Sequence, residues 1–216
     1  MTLSAQQTGG DLLAATLRAA GVNRVFGLHG GHLEALFKGC VERDISLLDF
    51  RHEAAAGHAA DAYARATGRL GVCVVTAGPG MTNVMSAIAN AYLDATPVLF
   101  IIGAPPLREA ETNPLQGGFD QIAMVRPVTR WAHRITNAER IPDLAAMAIR
   151  HAMTGRCGPV VLEVPIDVLH AHANPAYVTE PAPGWVAPRP APLPSDAARI
   201  VKLLSQARRP RAAVRG

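Results

Sequence analysis

Residues 71–83 read Gly71-Val72-Cys73-Val74-Val75-Thr76-Ala77-Gly78-Pro79-Gly80-Met81-Thr82-Asn83, and this stretch gives the main signal for the fold. It begins with a continuous apolar run, Val72–Val75, which is typical of a β-strand covered on both faces. Two glycines around Pro79 follow, and a glycine-rich turn between a strand and a helix lets the backbone approach a ligand closely. The stretch therefore predicts a strand–turn–helix unit of an α/β protein.

Similar apolar runs recur along the chain. The further predicted strands are Val25–Leu28, Ile45–Phe50, Val98–Ile102 and Val160–Val164. Helical patterns lie between them, and the clearest places apolar residues at helical spacing from Ile141 to Ala152. With 49% hydrophobic and 18% charged residues, the 216-residue chain has the composition of an ordinary globular protein. Alternating strands and helices predict an α/β fold, a doubly wound parallel sheet with helices on both faces.

The chain divides into three parts by composition. Residues 1–172 hold the predicted sheet and form the first domain. Residues 173–194 are predicted to be a linker, because seven of the 17 prolines fall between Pro175 and Pro194. After it, Ser195 can cap a new amphipathic helix. We therefore expect residues 195–216 to be the start of a truncated central domain.

Charge and cysteine content exclude several classes of protein. The net charge of +4 comes from residues 195–216, which hold six basic residues and one acidic residue, so the body is nearly neutral and a nucleic-acid partner is not expected. Three cysteines without paired spacing indicate neither a disulfide framework nor a zinc site. No apolar stretch approaches the ~18 residues of a membrane span. We expect a cytoplasmic protein without a membrane partner.

Ligands of an open parallel sheet bind beyond the carboxyl ends of its strands, so the residues there are candidates for chemistry. His32 follows the first strand, where a partly buried histidine at a helix start is an equally good interpretation. Glu53 follows the second strand, where a carboxylate also stabilises the positive end of a helix. The turn Gly78–Gly80 matches a dinucleotide-binding fingerprint only loosely, because Asn83 replaces the third glycine. Catalytic and structural interpretations both stay open on these patterns.

Taken together, the segments at the strand ends resemble a known family. Arg51-His52-Glu53 with Ala60–Gly68, followed by residues 71–83, resembles the pyrimidine-binding N-terminal domain of thiamine-diphosphate-dependent enzymes of the acetolactate synthase and pyruvate oxidase group. Three further segments resemble benzaldehyde lyase within that group. They are Gly27–His32, Glu111–Gln116 and Trp131–Arg134.

The resemblance implies roles for particular side chains. Glu53 matches the carboxylate that hydrogen-bonds the pyrimidine N1′ of thiamine diphosphate and so promotes removal of the C2 proton. His32 and Gln116 match positions that handle protons and bind the hydroxyl and carbonyl groups of the substrate. The residues expected to contact the cofactor are Glu53, Thr76, Pro79 and Asn83.

The resemblance also implies what this chain lacks. Such enzymes hold the diphosphate through Mg²⁺ with a Gly-Asp-Gly motif of another domain, and no Gly-Asp-Gly occurs here, so we expect no metal ligands in this chain. The isolated chain is expected to be inactive, and the complete enzyme to be a homo-oligomer, a dimer or a tetramer. The expected function is a carbon–carbon lyase or carboligase acting on aldehydes and 2-hydroxy ketones.

Three alternatives remain at this point. The first, within the family, is acetolactate synthase-like condensation of 2-oxo acids. The second is a non-catalytic fragment, which the missing diphosphate and Mg²⁺ motif supports. The third is a nicotinamide-linked dehydrogenase, which rests only on the sheet and the glycine turn.

Overall fold

A computed structural model describes residues 7–110, 112–113, 116–179 and 191–211. The α-helices among these residues are α1 (Gly9–Ala19), α2 (Glu34–Val41), α3 (Glu53–Thr67), α4 (Pro79–Leu93), α5 (Gln121–Val125), α6 (Ile141–Met153), α7 (Ile166–His170) and α8 (Pro194–Gln206). The β-strands are β1 (Arg24–Gly27), β2 (Ser46–Asp49), β3 (Gly71–Val75), β4 (Val98–Ala104), β5 (Trp131–Arg134) and β6 (Val160–Pro165).

The strands form one sheet in the order β2-β1-β3-β4-β6-β5, and every adjacent pair is parallel. The predicted fold class, a doubly wound parallel sheet, is confirmed. Five strands coincide with the predicted apolar runs to within two residues. The sequence patterns did not predict β5, because this edge strand is mostly half-buried and contains a histidine and an arginine.

Helices cover both faces of the sheet. Alternate residues of β3 show the division: Val72 and Val74 belong to a core with α1, α2 and α6, whereas Cys73 and Val75 belong to a second core with α3, α4 and α5. This alternation follows from the two-residue period of a strand. Because both faces are covered, β3 and β4 are continuously apolar.

The strand order reverses between β1 and β3. The chain leaves β1 toward β2 at one edge, whereas it leaves β3 toward β4 on the other side. The connections that follow these neighbouring strands therefore diverge and open a crevice at their carboxyl ends. Ligands of open α/β sheets bind at such a switch point.

Helices α3 and α4 lie close together because a glycine stands at their contact. A Cβ atom built on Gly57 would lie 2.6 Å from Cβ of Ala87 and 2.7 Å from Cγ2 of Val84. One helical turn toward the amino ends, Glu53 meets Asn83, and one turn toward the carboxyl ends, the Asn90 side chain donates to Asp61 at 3.1 Å. Two polar pairs thus flank a contact of small residues.

The C-terminal part has a different character. Helix α8 has no buried residue, and its apolar residues Ile200, Val201 and Leu204 are exposed. Residues 180–190 and 212–216, which belong to the predicted linker and the predicted start of a central domain, lie outside the described residues. The domain division stays a prediction. Among the described residues, no helix is long and apolar enough to cross a membrane.

The contact between α3 and α4 gives a first prediction. In Gly57→Ala, the new methyl group would meet Ala87 at 2.6 Å, and overpacking of this kind costs about 1–3 kcal/mol. Alanine gains about 1 kcal/mol over glycine in helix propensity, which does not offset a clash with a side chain that has no rotamers. We expect a lower free energy of unfolding in urea titration.

Gly31→Ala is the matched control for this prediction. A Cβ atom at Gly31 would have no heavy atom within 4 Å. The control should therefore change the free energy of unfolding by less than ~0.5 kcal/mol. Equal stability of the two variants would contradict the proposed role of Gly57.

Candidate functional site

Glu53 is the first residue of α3, but its side chain does not cap that helix. The N-cap residue is His52, whose Nδ1 accepts a hydrogen bond from the backbone N–H of Ala54 at 3.1 Å. The carboxylate of Glu53 is directed to α4 instead, where its Oε2 accepts a hydrogen bond from Nδ2 of Asn83 at 2.9 Å. Only 8% of Glu53 is exposed. A buried carboxylate that is not needed as a cap is available for another role.

The second oxygen of Glu53 lies beside the glycine turn. Oε1 is 3.7 Å from the position that a Cβ atom of Gly80 would take. Among the described residues, no hydrogen-bond donor reaches this oxygen. Because position 80 has no side chain, the turn leaves Oε1 open to a ligand group that can donate a hydrogen bond.

Glycines on two loops allow the loops after β1 and β3 to pack against each other. A Cβ atom on Gly30 would lie 2.4 Å from Cβ of Thr76, and one on Gly80 would lie 2.9 Å from its Cγ2. Gly78 has φ of 62° and ψ of −110°, a backbone conformation that residues with side chains rarely adopt. Pro79 is exposed and starts α4. These requirements explain the glycines of the turn.

His32 crosses the crevice and meets Thr76. It lies in a short 3₁₀ turn, Gly31–Leu33, and its Nδ1 pairs with Oγ1 of Thr76 at 3.1 Å. Burial lowers the pKa of His32 below its ordinary value of 6.5, because the charged imidazolium loses hydration. The ring is therefore neutral at pH 7 and has one donor and one acceptor nitrogen.

The backbone of Gln116 packs against Gly78 of the glycine turn. A Cβ atom on Gly78 would lie 3.1 Å from Cα of Gln116 and 3.0 Å from its carbonyl oxygen. The backbone N–H of Gln116 donates to Oδ1 of Asn113 at 3.4 Å, and the residue is half-buried. Residues 111, 114 and 115 of the same segment lie outside the described residues. The structure thus brings all six candidate residues to the crevice, around the glycine turn.

Sequence reasoning missed three residues behind this turn. The side chain of Gln121 accepts a hydrogen bond from the backbone N–H of Gly78 and donates to Glu163, which pairs with Arg134. The signal available in the sequence was Glu163 itself, a charged residue inside an otherwise apolar strand run. Charged residues are rarely fully buried unless they are paired.

The open carboxylate oxygen of Glu53 beside the glycine turn is suited to an aminopyrimidine. Among the described residues, no group of three or more His, Cys, Asp or Glu side chains could hold a metal ion. The glycine turn offers a cradle that a Cβ atom would fill, and the open Oε1 of Glu53 offers an acceptor at its wall. A ring with a hydrogen-bond donor at its edge has the chemistry to pair with this oxygen.

Comparison with known proteins decides the family. Residues 7–124 match the family described as "Thiamine pyrophosphate enzyme, N-terminal TPP binding domain", which is more than half of the chain. The chain belongs to this family. The resemblance predicted from the motifs around Glu53 and Gly78 is confirmed at this level, and the family binds thiamine diphosphate.

Several relatives are similar to the chain over most of its length. It is 42% identical over 164 residues to 2-hydroxyacyl-CoA lyase 2 of Mus musculus, a match that covers 76% of this chain and 26% of the relative. It is 34% identical over 206 residues to a probable acetolactate synthase large subunit of Methanocaldococcus jannaschii, and this match covers 94% of this chain and 34% of the relative. Acetolactate synthase 2 (chloroplastic) of Zea mays is 34% identical over 205 residues, a match that covers 94% of this chain and 32% of the relative. The chain spans about a quarter to a third of these thiamine-family relatives.

The burial of His32 gives a second prediction. Because its pKa is lower in the folded state than the ordinary 6.5, the unfolded state binds more protons below pH 6.5. The stability that depends on neutral His32 is therefore present above pH 6.5 and is lost as the pH falls through the folded pKa. We expect the melting temperature of the parent to fall more steeply on acidification than that of His32→Asn.

Other groups also gain protons as the pH falls, so the melting temperatures of the parent and of His32→Asn are compared at each pH. Contributions that the two proteins share then cancel. The difference between parent and variant should change with pH below 6.5 and stay constant above it. Parallel curves over the whole range would contradict a neutral, desolvated His32.

Proposed function

We propose that the chain is the pyrimidine-binding part of a thiamine-diphosphate-dependent carbon–carbon lyase or carboligase that acts on 2-hydroxy ketones and aldehydes. The observation that carries this proposal is His32 in the crevice, paired with Thr76 beside the glycine turn. An imidazole at that point supplies a proton donor and acceptor for a substrate hydroxyl. A relative named 2-hydroxyacyl-CoA lyase supports cleavage at a 2-hydroxy group.

Glu53 is the residue that we propose for activation of the cofactor. When bound, thiamine diphosphate supplies a carbon nucleophile through its acidic C2 position. Oε1 of Glu53 would accept a hydrogen bond from the pyrimidine ring, while Asn83 holds Oε2. Thr76, Pro79 and Asn83 would border the ring. The buried position of Glu53 excludes bulk water from this hydrogen bond, which strengthens it.

His32 is proposed to handle the substrate proton at Nε2. Its Nδ1 is already paired with Thr76 at 3.1 Å, so Nε2 is the ring nitrogen left for a ligand. A neutral ring can take the proton of a substrate hydroxyl as the carbon–carbon bond breaks, and return it in the reverse direction. Gln116 is proposed to donate from its amide to a substrate carbonyl.

The other half of such a site is proposed to lie outside this chain. Mg²⁺ and the diphosphate would be held by a further domain of the complete protein, in a homo-oligomer, since the chain spans only about a quarter to a third of the relatives that it matches. The isolated chain would then be inactive. Benzaldehyde lyase-like specificity belongs to the same proposal and rests on the segments around His32 and Gln116.

Condensation of 2-oxo acids is the second candidate function. The matches to relatives named acetolactate synthase favour it, since they cover 94% of the chain. Both reactions need the same Glu53 and the same turn. They differ in the substrate side of the crevice, where His32 and Gln116 lie.

The role of Glu53 gives a third prediction, for a complete enzyme that contains this domain. Glu53→Gln keeps the shape of the side chain and an oxygen that can accept from Asn83, but it removes the negative charge. Exchange of the cofactor's C2 proton, followed by NMR after quenching, should slow by about 100-fold or more.

Asp61→Asn is the matched control. Asp61 is also a buried carboxylate of α3 that accepts from an asparagine of α4, two turns farther along both helices. Its replacement should lower stability and leave C2 proton exchange at the parent rate. Unchanged exchange in Glu53→Gln, or equal loss in both variants, would reduce Glu53 to a structural residue.

A fourth prediction separates the two candidate reactions. His32→Ala and Gln116→Ala should depress cleavage of an aromatic 2-hydroxy ketone, because both side chains would act on the substrate. The Kd for thiamine diphosphate should change less than threefold. If both variants cleave at the parent rate, or if the parent only condenses pyruvate, the lyase proposal fails and the synthase remains.

A further inference from the structure

A continuous set of hydrogen bonds runs from the edge of the sheet to the glycine turn. Arg134 of β5 and Glu163 of β6 are register partners, and Nε of Arg134 lies 2.7 Å from Oε2 of Glu163. Nε2 of Gln121 donates to Oε1 of Glu163 at 2.7 Å. Oε1 of Gln121 accepts from the backbone N–H of Gly78 at 2.8 Å. One amide thus connects a buried ion pair to the turn.

The orientation of the Gln121 amide is fixed by its surroundings. Its Nε2 has two acceptors, Glu163 and the backbone carbonyl of Gly103 at 3.1 Å. The flipped amide would place Oε1 against both acceptors and Nε2 against a donor. Because Gln121 is only 2% exposed, water cannot compensate for these contacts.

Gly78 needs such an acceptor. Its N–H is buried, and its φ of 62° places it in an uncommon conformation at the start of α4. Without a partner, this N–H would carry the free-energy cost of an unpaired buried donor. The turn would then lower its free energy by rearranging so that the N–H found an acceptor. The side chain of Gln121 removes that cost.

The ion pair makes this support stronger than a neutral hydrogen bond. Glu163 is 1% exposed and would be costly to bury alone, whereas Arg134 contacts both of its oxygens. The carboxylate then attracts the Nε2 protons of Gln121, and charge-assisted hydrogen bonds are about twice as strong as neutral ones. This amide is consequently held at both ends.

Gln121 also starts the helix that follows the Gln116 segment. Helix α5 begins at Gln121, and its N-cap Asp120 accepts from the backbone N–H of Ala123 at 3.0 Å. Five residues earlier, the backbone of Gln116 packs on Gly78. Fixing Gln121 to Gly78 therefore fixes the segment of Gln116 to the glycine turn.

We propose that Gln121, held by the Glu163–Arg134 ion pair, is a positioning residue that sets the turn at Gly78 against the segment carrying Gln116. This inference rests on the proposed function for its catalytic meaning. Its structural part concerns the chain alone and is tested without cofactor.

The first test is amide hydrogen exchange of the full 216-residue chain, followed by mass spectrometry on peptides that cover Gly78 and on peptides that cover β3. In Gln121→Met, which has similar volume but no amide, exchange at Gly78 should accelerate at least tenfold, while β3 keeps its parent protection. If Gln121 only contributed to global stability, hydrogen exchange would accelerate at Gly78 and in β3 together.

Two further variants make the test decisive. Asn90→Leu removes another amide that bonds a buried carboxylate, on α4 itself, and should leave Gly78 unchanged. Glu163→Gln keeps the volume of the side chain and removes its charge, and should accelerate Gly78 exchange by a smaller factor; it also serves if Gln121→Met does not fold. Parent-like exchange at Gly78 in the folded variants would overturn the inference.

The second test uses a complete enzyme that contains the domain. Gln121→Met should lower kcat on the 2-hydroxy ketone about tenfold, with less than a threefold change in the Kd for thiamine diphosphate. Faster Gly78 exchange with parent kcat would overturn the positioning role and leave the proposed function intact. A parent without thiamine-dependent turnover would instead remove the proposed function, whereas the exchange result would still stand.

Discussion

The close approach of α3 and α4 at Gly57 is the constraint on which the site depends. It brings the first turns of both helices together, so that Glu53 and Asn83 meet at 2.9 Å. Helix N-termini have positive partial charge, and two of them converge on this carboxylate. Among the described residues, no lysine or arginine pairs with Glu53. Its negative charge is therefore stabilised by helix ends and an amide, and one oxygen remains open.

The topology of the sheet positions His32 and Thr76, the other pair of side chains at the site. Its reversal of strand order between β1 and β3 places His32 and Thr76 on opposite sides of one crevice, 3.1 Å apart. The glycines at positions 30, 78 and 80 let these loops approach without side chains between them. The pairing of His32 with Thr76 and the close packing of the two loops thus result from the topology and from the missing Cβ atoms together.

Most of the fold could be predicted because its signals are local. Apolar runs indicated five of the strands, although one of these, β2, is an exposed edge strand. Gly68, with φ of 67°, ends α3 in the left-handed conformation that glycine favours. The half-exposed strand β5 lacks such an apolar run. The sequence placed Glu53 at a helix start but could not separate a cap from a catalytic carboxylate, because both interpretations predict the same position. The side chains of His52 and Asn83 show that Glu53 is not the cap of α3, and its catalytic role stays a prediction.

The support behind the turn could not be predicted for a different reason. Gln121 contacts Gly78 and Glu163 across 43 and 42 residues of sequence, and no periodic pattern encodes such hydrogen bonds. A charged residue inside an apolar strand run, such as Glu163, requires a buried partner, but the pattern does not identify that partner. The cofactor class, in contrast, followed from motifs that match a family jointly, although each one alone is weak.

The most direct measurement is chemical-shift mapping of a methyl-aminopyrimidine that lacks the thiazolium and diphosphate, titrated into the ¹⁵N-labelled chain. We expect weak, Mg²⁺-independent binding in the millimolar range, because the hydrogen bonds available at this half-site have net values of about 1–3 kcal/mol each before the cost of association. The shifts should concentrate at Gly78, Gly80 and Asn83 and be lost in Glu53→Gln. Shifts located elsewhere on the sheet, or an equal response in Glu53→Gln, would contradict a pyrimidine site between the two helix ends.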